Sequence, residues 1–271
     1  MDLAKKPSSL QEVLESYNHI ELTEDEVSEA IISRKQKKEQ EINQKRILEV
    51  EAENRKMFTQ FRWTYDQTKS FALWRASQIF DKQFVVDQSN SIIFELLCYY
   101  FSQDDRFISF AAAAGLDGFS LNKGIILCGN YGTGKTWMMK LFQKNQRHCY
   151  MIRNSKELAD LYEKNGEDAI EEYLKPVKNS VNDSALFYQP FLGLCIDDIG
   201  TDNVKVNYGN KKNVIGDIVE KRYANGNIGT GFHCTTNLTA KGLQDFYGGR
   251  VVSRMREIFN VIELSGDDRR K

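Results

Sequence analysis

Paired cysteines are missing from this sequence. Its five, Cys98, Cys128, Cys149, Cys195 and Cys234, stand far apart with no C-x-x-C among them, so they read as small core hydrophobes of a reducing compartment. Long apolar runs are missing too. Nothing approaches the ~20 residues of a membrane span, and the first residues carry no signal-peptide pattern, so a cytoplasmic chain without a membrane partner is expected. Neither charge is in excess: 37 Lys and Arg against 38 Asp and Glu leave a formal net charge of −1. No global positive field therefore advertises nucleic acid, and any such contact has to come from a local patch. Between positions 24 and 57 there is neither glycine nor proline, and between 33 and 41 no apolar residue. A helix can run through that stretch uninterrupted, but its middle has no face to bury. No internal repeat or low-complexity tract is evident.

What is present supports one large core, or a core with a helical extension: 41% of the 271 residues are apolar and 28% charged. Thr23-Glu24-Asp25-Glu26 is a capping-box signature with an acidic first turn. A helix over about 24–57 should start there and either project into solvent or dock on a partner. Its Arg34-Lys35-Gln36-Lys37-Lys38 cluster sits in a near-balanced mix of acids and bases, the pattern of a solvated face. From 58 to 110 the chain is aromatic-rich, and spacings such as Phe71/Trp74 and Ile92/Leu96/Tyr99/Tyr100 fit amphipathic helices whose aromatics face a core. Residues 1–110 are therefore expected to form a helical, partner-binding region, and 111–271 a separate domain, with a soft boundary at 111–122.

After Leu121 the pattern alternates between strands and helices, the mark of an α/β domain with a parallel central sheet. Strands are expected at 124–128, 149–152, 192–196, 231–236 and 260–264. Helices are expected near 135–145, 155–165, 167–174, 214–224, 240–247 and 250–258. The first strand runs into Gly129-Asn130-Tyr131-Gly132-Thr133-Gly134-Lys135-Thr136, which satisfies G-x-x-x-x-G-K-[ST], the loop that cradles nucleoside triphosphates. Its glycines let backbone N–H groups approach phosphate oxygens. Lys135 reaches the β- and γ-phosphates, and the Thr136 hydroxyl binds Mg²⁺.

A second apolar strand ends in Asp197-Asp198, at the sheet edge where ligands bind in open α/β folds. Paired with the phosphate loop it has the form of a Walker B element: Asp197 holds Mg²⁺ and Asp198 polarises the attacking water. A third strand, Phe232-His233-Cys234-Thr235-Thr236-Asn237, delivers an amide that can bridge the γ-phosphate and that water; a helix-entry turn is the other reading of Asn237. His233 reads as a packed or surface histidine. Arg250 and Arg254 lie four apart on one helix face. They are either solvated or, for Arg254 above all, a finger delivered in trans to a neighbouring subunit's γ-phosphate.

Taken together, Gly129–Thr136, Ile196-Asp197-Asp198-Ile199-Gly200, Thr235-Thr236-Asn237-Leu238 and Gly249-Arg250-Val251-Val252-Ser253-Arg254-Met255-Arg256 resemble, in order and spacing, the AAA+ ATPases of the DnaC/IstB type. The ending Val261 to Arg270 is similar as well. The resemblance covers roughly 94–271. It implies a P-loop NTPase fold, hydrolysis of ATP with Mg²⁺, and a sensor-2-like contact by Arg269. It further implies an ATP-dependent homo-oligomer, a role in DNA replication as a helicase loader that binds a replicative helicase, and contact with single-stranded DNA. For DNA, the segment 154–189 is largely acidic (Glu163, Glu167, Asp168, Glu171, Glu172), so Lys205, Lys211 and Lys212 are the better candidates for a phosphate patch; a solvated loop is the other reading. The alternatives are an IstB-like transposition helper, a nucleotide-binding interaction module with negligible turnover, and a phosphotransferase. The last would need an acceptor site and lid arginines instead of the Asn237 strand and the Arg254 helix.

Overall fold

The computed structural model describes residues 23–60, 62–80, 84–174, 177–178, 191–207, 210–226 and 231–269. Two compact units divide the chain, Met1–Glu53 and Asn54–Lys271. Helix α1 (Glu24–Gln60) starts in the first. At its start Thr23 N–H donates to Glu26 Oε2 at 2.8 Å and Glu26 N–H donates to Thr23 Oγ1 at 3.3 Å, the reciprocal box that its sequence spells. Every side chain from 24 to 50 is exposed, as the missing apolar face requires.

The second unit opens with helices α2 (Tyr65–Ile79), α3 (Ser91–Phe101) and α4 (Arg106–Ala113). Then follow β1 (Gly124–Cys128), α5 (Lys135–Leu141), β2 (Tyr150–Asn154), α6 (Ser155–Asn165), α7 (Asp168–Glu171), β3 (Val177–Lys178) and β4 (Phe191–Ile199). The chain ends through β5 (Lys205–Asn207), β6 (Asn210–Lys212), α8 (Val214–Ala224), β7 (Phe232–Thr236), α9 (Ala240–Tyr247), α10 (Gly249–Ile258) and β8 (Phe259–Glu263). The main sheet runs β2-β4-β7-β1-β8, every pair along it parallel, with β3 antiparallel on β4. β5 and β6 form a small hairpin of their own.

Strand periodicity splits the core in two. Ile126, Leu194, Ile196 and Cys234 point to the side packed by α6, α8 and α10. Ile125, Leu127, Cys195 and Ile262 point to the other, where Ala72, Phe94, Leu97, Phe107 and Met139 from α2 to α5 cover them. The aromatic-rich helices therefore bury their rings against the sheet. All five cysteines are buried and free.

Two expected helices are shorter than their patterns suggest. α5 stops at Leu141 instead of reaching 145, because the buried Asn145 amide donates to the carbonyls of Phe142 and His148 while its oxygen accepts from the N–H groups of Arg147 and His148. One side chain thus satisfies backbone groups that a continued helix would have used. The stretch 167–174 breaks into α7 and a 3-10 turn, Glu172–Leu174. His233 is fully buried in the middle of β7, its Nδ1 accepting the Ile125 N–H at 3.1 Å.

Candidate functional site

The chain leaves β1 into the glycine loop, and two of its glycines are dictated by what crowds them. A Cβ at Gly129 (φ +150°) would lie 2.2 Å from the carbonyl oxygen of Leu264, where the chain leaves β8. One at Gly132 (φ +78°) would lie 1.9 Å from Asp268 Oδ1. Thr133, buried, donates its hydroxyl to the Asn130 carbonyl at 3.0 Å and so closes the loop on itself. Tyr131 points outward, 65% exposed.

Lys135 stands at the centre. Its Nζ donates to the carbonyls of Gly129 and Asn130 at 2.8 and 2.7 Å, and to Asn237 Oδ1 at 2.7 Å. The Asn237 amide in turn donates to Asp198 Oδ1 at 3.1 Å. Beside this chain runs a second: Thr136 Oγ1 donates to Asp197 Oδ1 at 2.9 Å, and Thr235 Oγ1 donates to the same oxygen at 2.6 Å. Burial pushes the Asp197 carboxyl above its usual range, against the pull of the two hydroxyls.

Adjacent residues on a strand point to opposite faces, yet Asp197 and Asp198 both serve this site. A bulge resolves the conflict. Ile196 pairs with Cys234 and Ile199 with Thr236, so that Asp197 and Asp198 together oppose Thr235. Asp198 takes φ +56°, in the left-handed region that costs a non-glycine residue energy. Its N–H is held by Thr235 Oγ1 at 2.9 Å, and its carbonyl accepts from the hydroxyls of Ser155 and Thr201, both at 2.8 Å. Thr235 thus ties the Asp197 carboxylate to the Asp198 backbone N–H, a role that its place in the Thr-Thr-Asn run did not announce.

Above the loop opens a cavity of about 700 Å³. Its polar side is the loop with Lys135, Thr136, Asp198, Asn237 and Arg269; its apolar side is Ile79, Phe80, Phe84, Val85 and Trp137. Phe80 and Trp137 stack at 4.0 Å with planes 7° apart. This wall comes from the end of α2 and the segment after it, far from the loop in sequence. Trp137, directly after the Gly-Lys-Thr, was the one local hint.

The other sequence candidates fall as follows. Arg269 reaches the cavity rim: its N–H donates to the Gly132 carbonyl at 3.0 Å and its guanidinium bonds Asp87 at 2.9 Å and also Ser89. Arg269 and Ser89 together hold the Asp87 carboxyl down at about 2. Arg254 does not line the cavity. It lies over the Tyr223 ring at 4.2 Å, 3.7 Å from Glu257, while Arg250 pairs with Glu220. Lys205 and Lys212 form no bare phosphate patch. Lys205 bridges Asp160 and Glu163 at 2.7 and 2.9 Å, and Lys212 pairs with Asp217 at 2.9 Å and with Glu167. Acids that made the preceding segment look hostile to DNA are thus the partners of these lysines. The Lys211 side chain and residues 179–190 lie outside the described residues. No described helix is long and apolar enough to cross a membrane.

The donor set fits a triphosphate and Mg²⁺: a glycine loop with no room for a Cβ at Gly129 or Gly132, a buried lysine at its mouth, and a hydroxyl facing a carboxylate, both hard oxygen ligands. No protein-family model matches the chain, and no curated protein aligns with it significantly. Similar solved structures include a DnaC helicase loader, 16% identical over 68% of this chain and 95% of that one, with a TM-score of 0.42. AMPPCP-bound DnaA from Aquifex aeolicus is 18% identical over 69% of this chain and 50% of that one, with a TM-score of 0.39. Pif1 helicase on forked DNA is 16% identical over 68% of this chain and 44% of that one, with a TM-score of 0.34. What the strand order, the loop and the carboxylate bulge establish by themselves is an α/β P-loop NTPase fold with a parallel central sheet and a helical region before it.

Proposed function

We propose that the chain binds ATP with Mg²⁺, cuts it with water, and works as an oligomeric helicase loader in DNA replication. The observation that supports hydrolysis best is the Lys135–Asn237–Asp198 chain lining one cavity, with Thr136, which also lines it, bonded to Asp197 behind. In this reading the loop N–H groups and Lys135 hold the β- and γ-phosphates, and Arg269 approaches them from the rim. Thr136 and Asp197 would hold Mg²⁺, which would supply neutralising charge to the phosphate oxygens. Asp198 accepts a proton from the attacking water while the Asn237 amide orients it, so positioning and charge do the work. The stacked Phe80 and Trp137 wall receives the base by apolar contact.

Arg254, away from its own chain's cavity, is proposed to complete the site of a neighbouring subunit. Turnover then depends on assembly. The order of the four motifs supports the loader reading, in which a replicative helicase is the protein partner and single-stranded DNA an effector. Equilibrium dialysis with labelled ATP and Mg²⁺, followed by phosphate release with and without single-stranded DNA, tests it. Retention of ATP and DNA-stimulated release are expected; a purified chain that retains no adenine nucleotide under Mg²⁺ overturns the proposal. Co-purification with ATP from native cells tests the partner, and recovery of a transposase in place of a helicase would replace loading with the helper role.

A further inference from the structure

Two buried polar side chains stand behind the carboxylate bulge and take no part in the chemistry above. Asp202 is fully buried and Tyr247 is 8% exposed. Tyr247 Oη donates to Asp202 Oδ1 at 2.6 Å and accepts the Gly200 N–H at 2.7 Å; Asp202 Oδ1 also takes that N–H, at 3.1 Å. Among the described residues the second oxygen of Asp202 has no hydrogen-bond partner. A buried carboxylate with one oxygen unpaired is costly to keep, and a phenylalanine at 247 with an apolar residue at 202 would make a cheaper core.

What the pair grips is the turn that carries Asp198. Gly200 has φ +87°, two residues beyond Asp198 at φ +56°. A strained backbone of this kind persists only where its surroundings over-determine it. Thr235, Ser155 and Thr201 fix the peptide groups on either side of Asp198, and Tyr247 with Asp202 fixes the exit of the turn. Leu238 closes the remaining side: a Cβ at Gly200 would lie 2.3 Å from its Cδ1. Released at Gly200, the bulge would relax to ordinary strand alternation, which turns the Asp198 carboxylate away from the cavity that it lines.

We infer that Tyr247 and Asp202 are positioning residues for Asp198, clamping the Gly200 N–H so that the bulge keeps the Asp198 carboxylate against Asn237 and the cavity. The inference rests on the reading of Asp198 as the carboxylate that acts on water. The clamp acts on orientation and not on the phosphate loop, so it bears on turnover and not on ATP affinity.

The test uses the full chain with Tyr247→Phe, Asp202→Asn and the double variant. Both substitutions keep the side-chain volume, and thermal melting follows the fold. Turnover should fall about tenfold to a hundredfold while KM and the dialysis affinity for ATP stay within about twofold. The double variant should be no worse than the poorer single one, since both residues serve one clamp. Amide hydrogen exchange at Gly200 and Thr201, measured without nucleotide, should quicken at least about tenfold in Tyr247→Phe. Unchanged turnover overturns the inference, as does a parallel loss of turnover, affinity and melting temperature. Should the wild type retain no ATP, the proposed function falls by itself, and the exchange rates alone decide the clamp: faster exchange in Tyr247→Phe upholds it, unchanged exchange rejects it.

Discussion

The sheet tip and the long helix α1 are built on opposite terms. At the tip, Lys135 is 5% exposed, Thr235 is fully buried, and each polar group is bonded to a residue from another element. Along α1, from 24 to 50, every side chain is exposed, including Ile31, Ile42 and Leu48. A site that must hold charges at fixed separations needs burial and cross-links from several strands. A helix held by its own backbone and its cap needs neither, so its sequence is free of packing demands. Substitutions should therefore reach far at the tip and hardly at all along α1.

The largest effect is expected where the tip is completed from outside. If Arg254 serves a neighbour's site, Arg254→Ala lowers turnover about 10³- to 10⁵-fold while leaving ATP affinity in place. Mixing it with Lys135→Ala should restore part of the activity, because one mixed interface then carries an intact lysine and an intact arginine. A mixture that co-assembles in light scattering yet stays inactive would break the idea of a shared site. Lys135→Ala alone should cost about 10²- to 10³-fold, the scale of losing one charged contact to a developing anion, and wild-type phosphate release in that variant would place the chemistry elsewhere. Asp198→Asn should keep ATP bound and trap an unhydrolysed, larger assembly, visible in light scattering with ATP.

A smaller effect separates the buried core from α1 by pH. Burial holds His233 well below the usual histidine range, with Arg147, His148 and Arg222 adding repulsion, and it lowers His148 to about 4. The rings of Tyr100, Phe101 and Tyr150 surround His233. Both histidines are neutral when folded and take up protons near pH 6.5 when unfolded, so their contribution is complete above that value and is lost as pH falls below it. Each contributes a slope of about 1.4 kcal/mol per pH unit. Between pH 7.5 and 5.5 the two histidines should lower the urea-unfolding free energy by about 3 kcal/mol, offset in part by the buried carboxyls of Asp197 and Asp202, which burial pushes the other way. His148→Asn should flatten the slope by about half; an unaltered slope would assign it to other groups.

These contrasts also mark what could be read without coordinates. The glycine loop, the five parallel strands and the cap at Thr23 depend on local chemistry, so residue type and spacing were enough. The bulge was hidden because it exists only in the register between β4 and β7, and nothing in Asp197-Asp198 says which of them leaves strand alternation. Phe80 looked like core, and Trp137 drew no reading, because their meeting across the cavity depends on how α2 packs on α5. Lys205 and Lys212 looked available because Asp160, Glu163 and Glu167 lie some forty residues earlier and reach them only through the fold. The early end of α5 belongs to the same class: a side chain at 145 decided a boundary that helical periodicity placed four residues later.

The smallest effect is the sharpest check on α1. Ile42 is 58% exposed in a stretch where no side chain is buried, so Ile42→Ser in the isolated chain should change stability by no more than about 0.5 kcal/mol. Ile126→Ala, buried in the sheet, should cost about 2–5 kcal/mol. Chemical denaturation of the two variants side by side measures the ratio. Equal losses would mean that Ile42 is covered in solution and that α1 carries a packed face after all. A silent Ile42→Ser that nevertheless weakens capture of the proposed helicase partner would show that the apolar residues of α1 are kept for a surface outside this chain, because burial within it contributes nothing at that position.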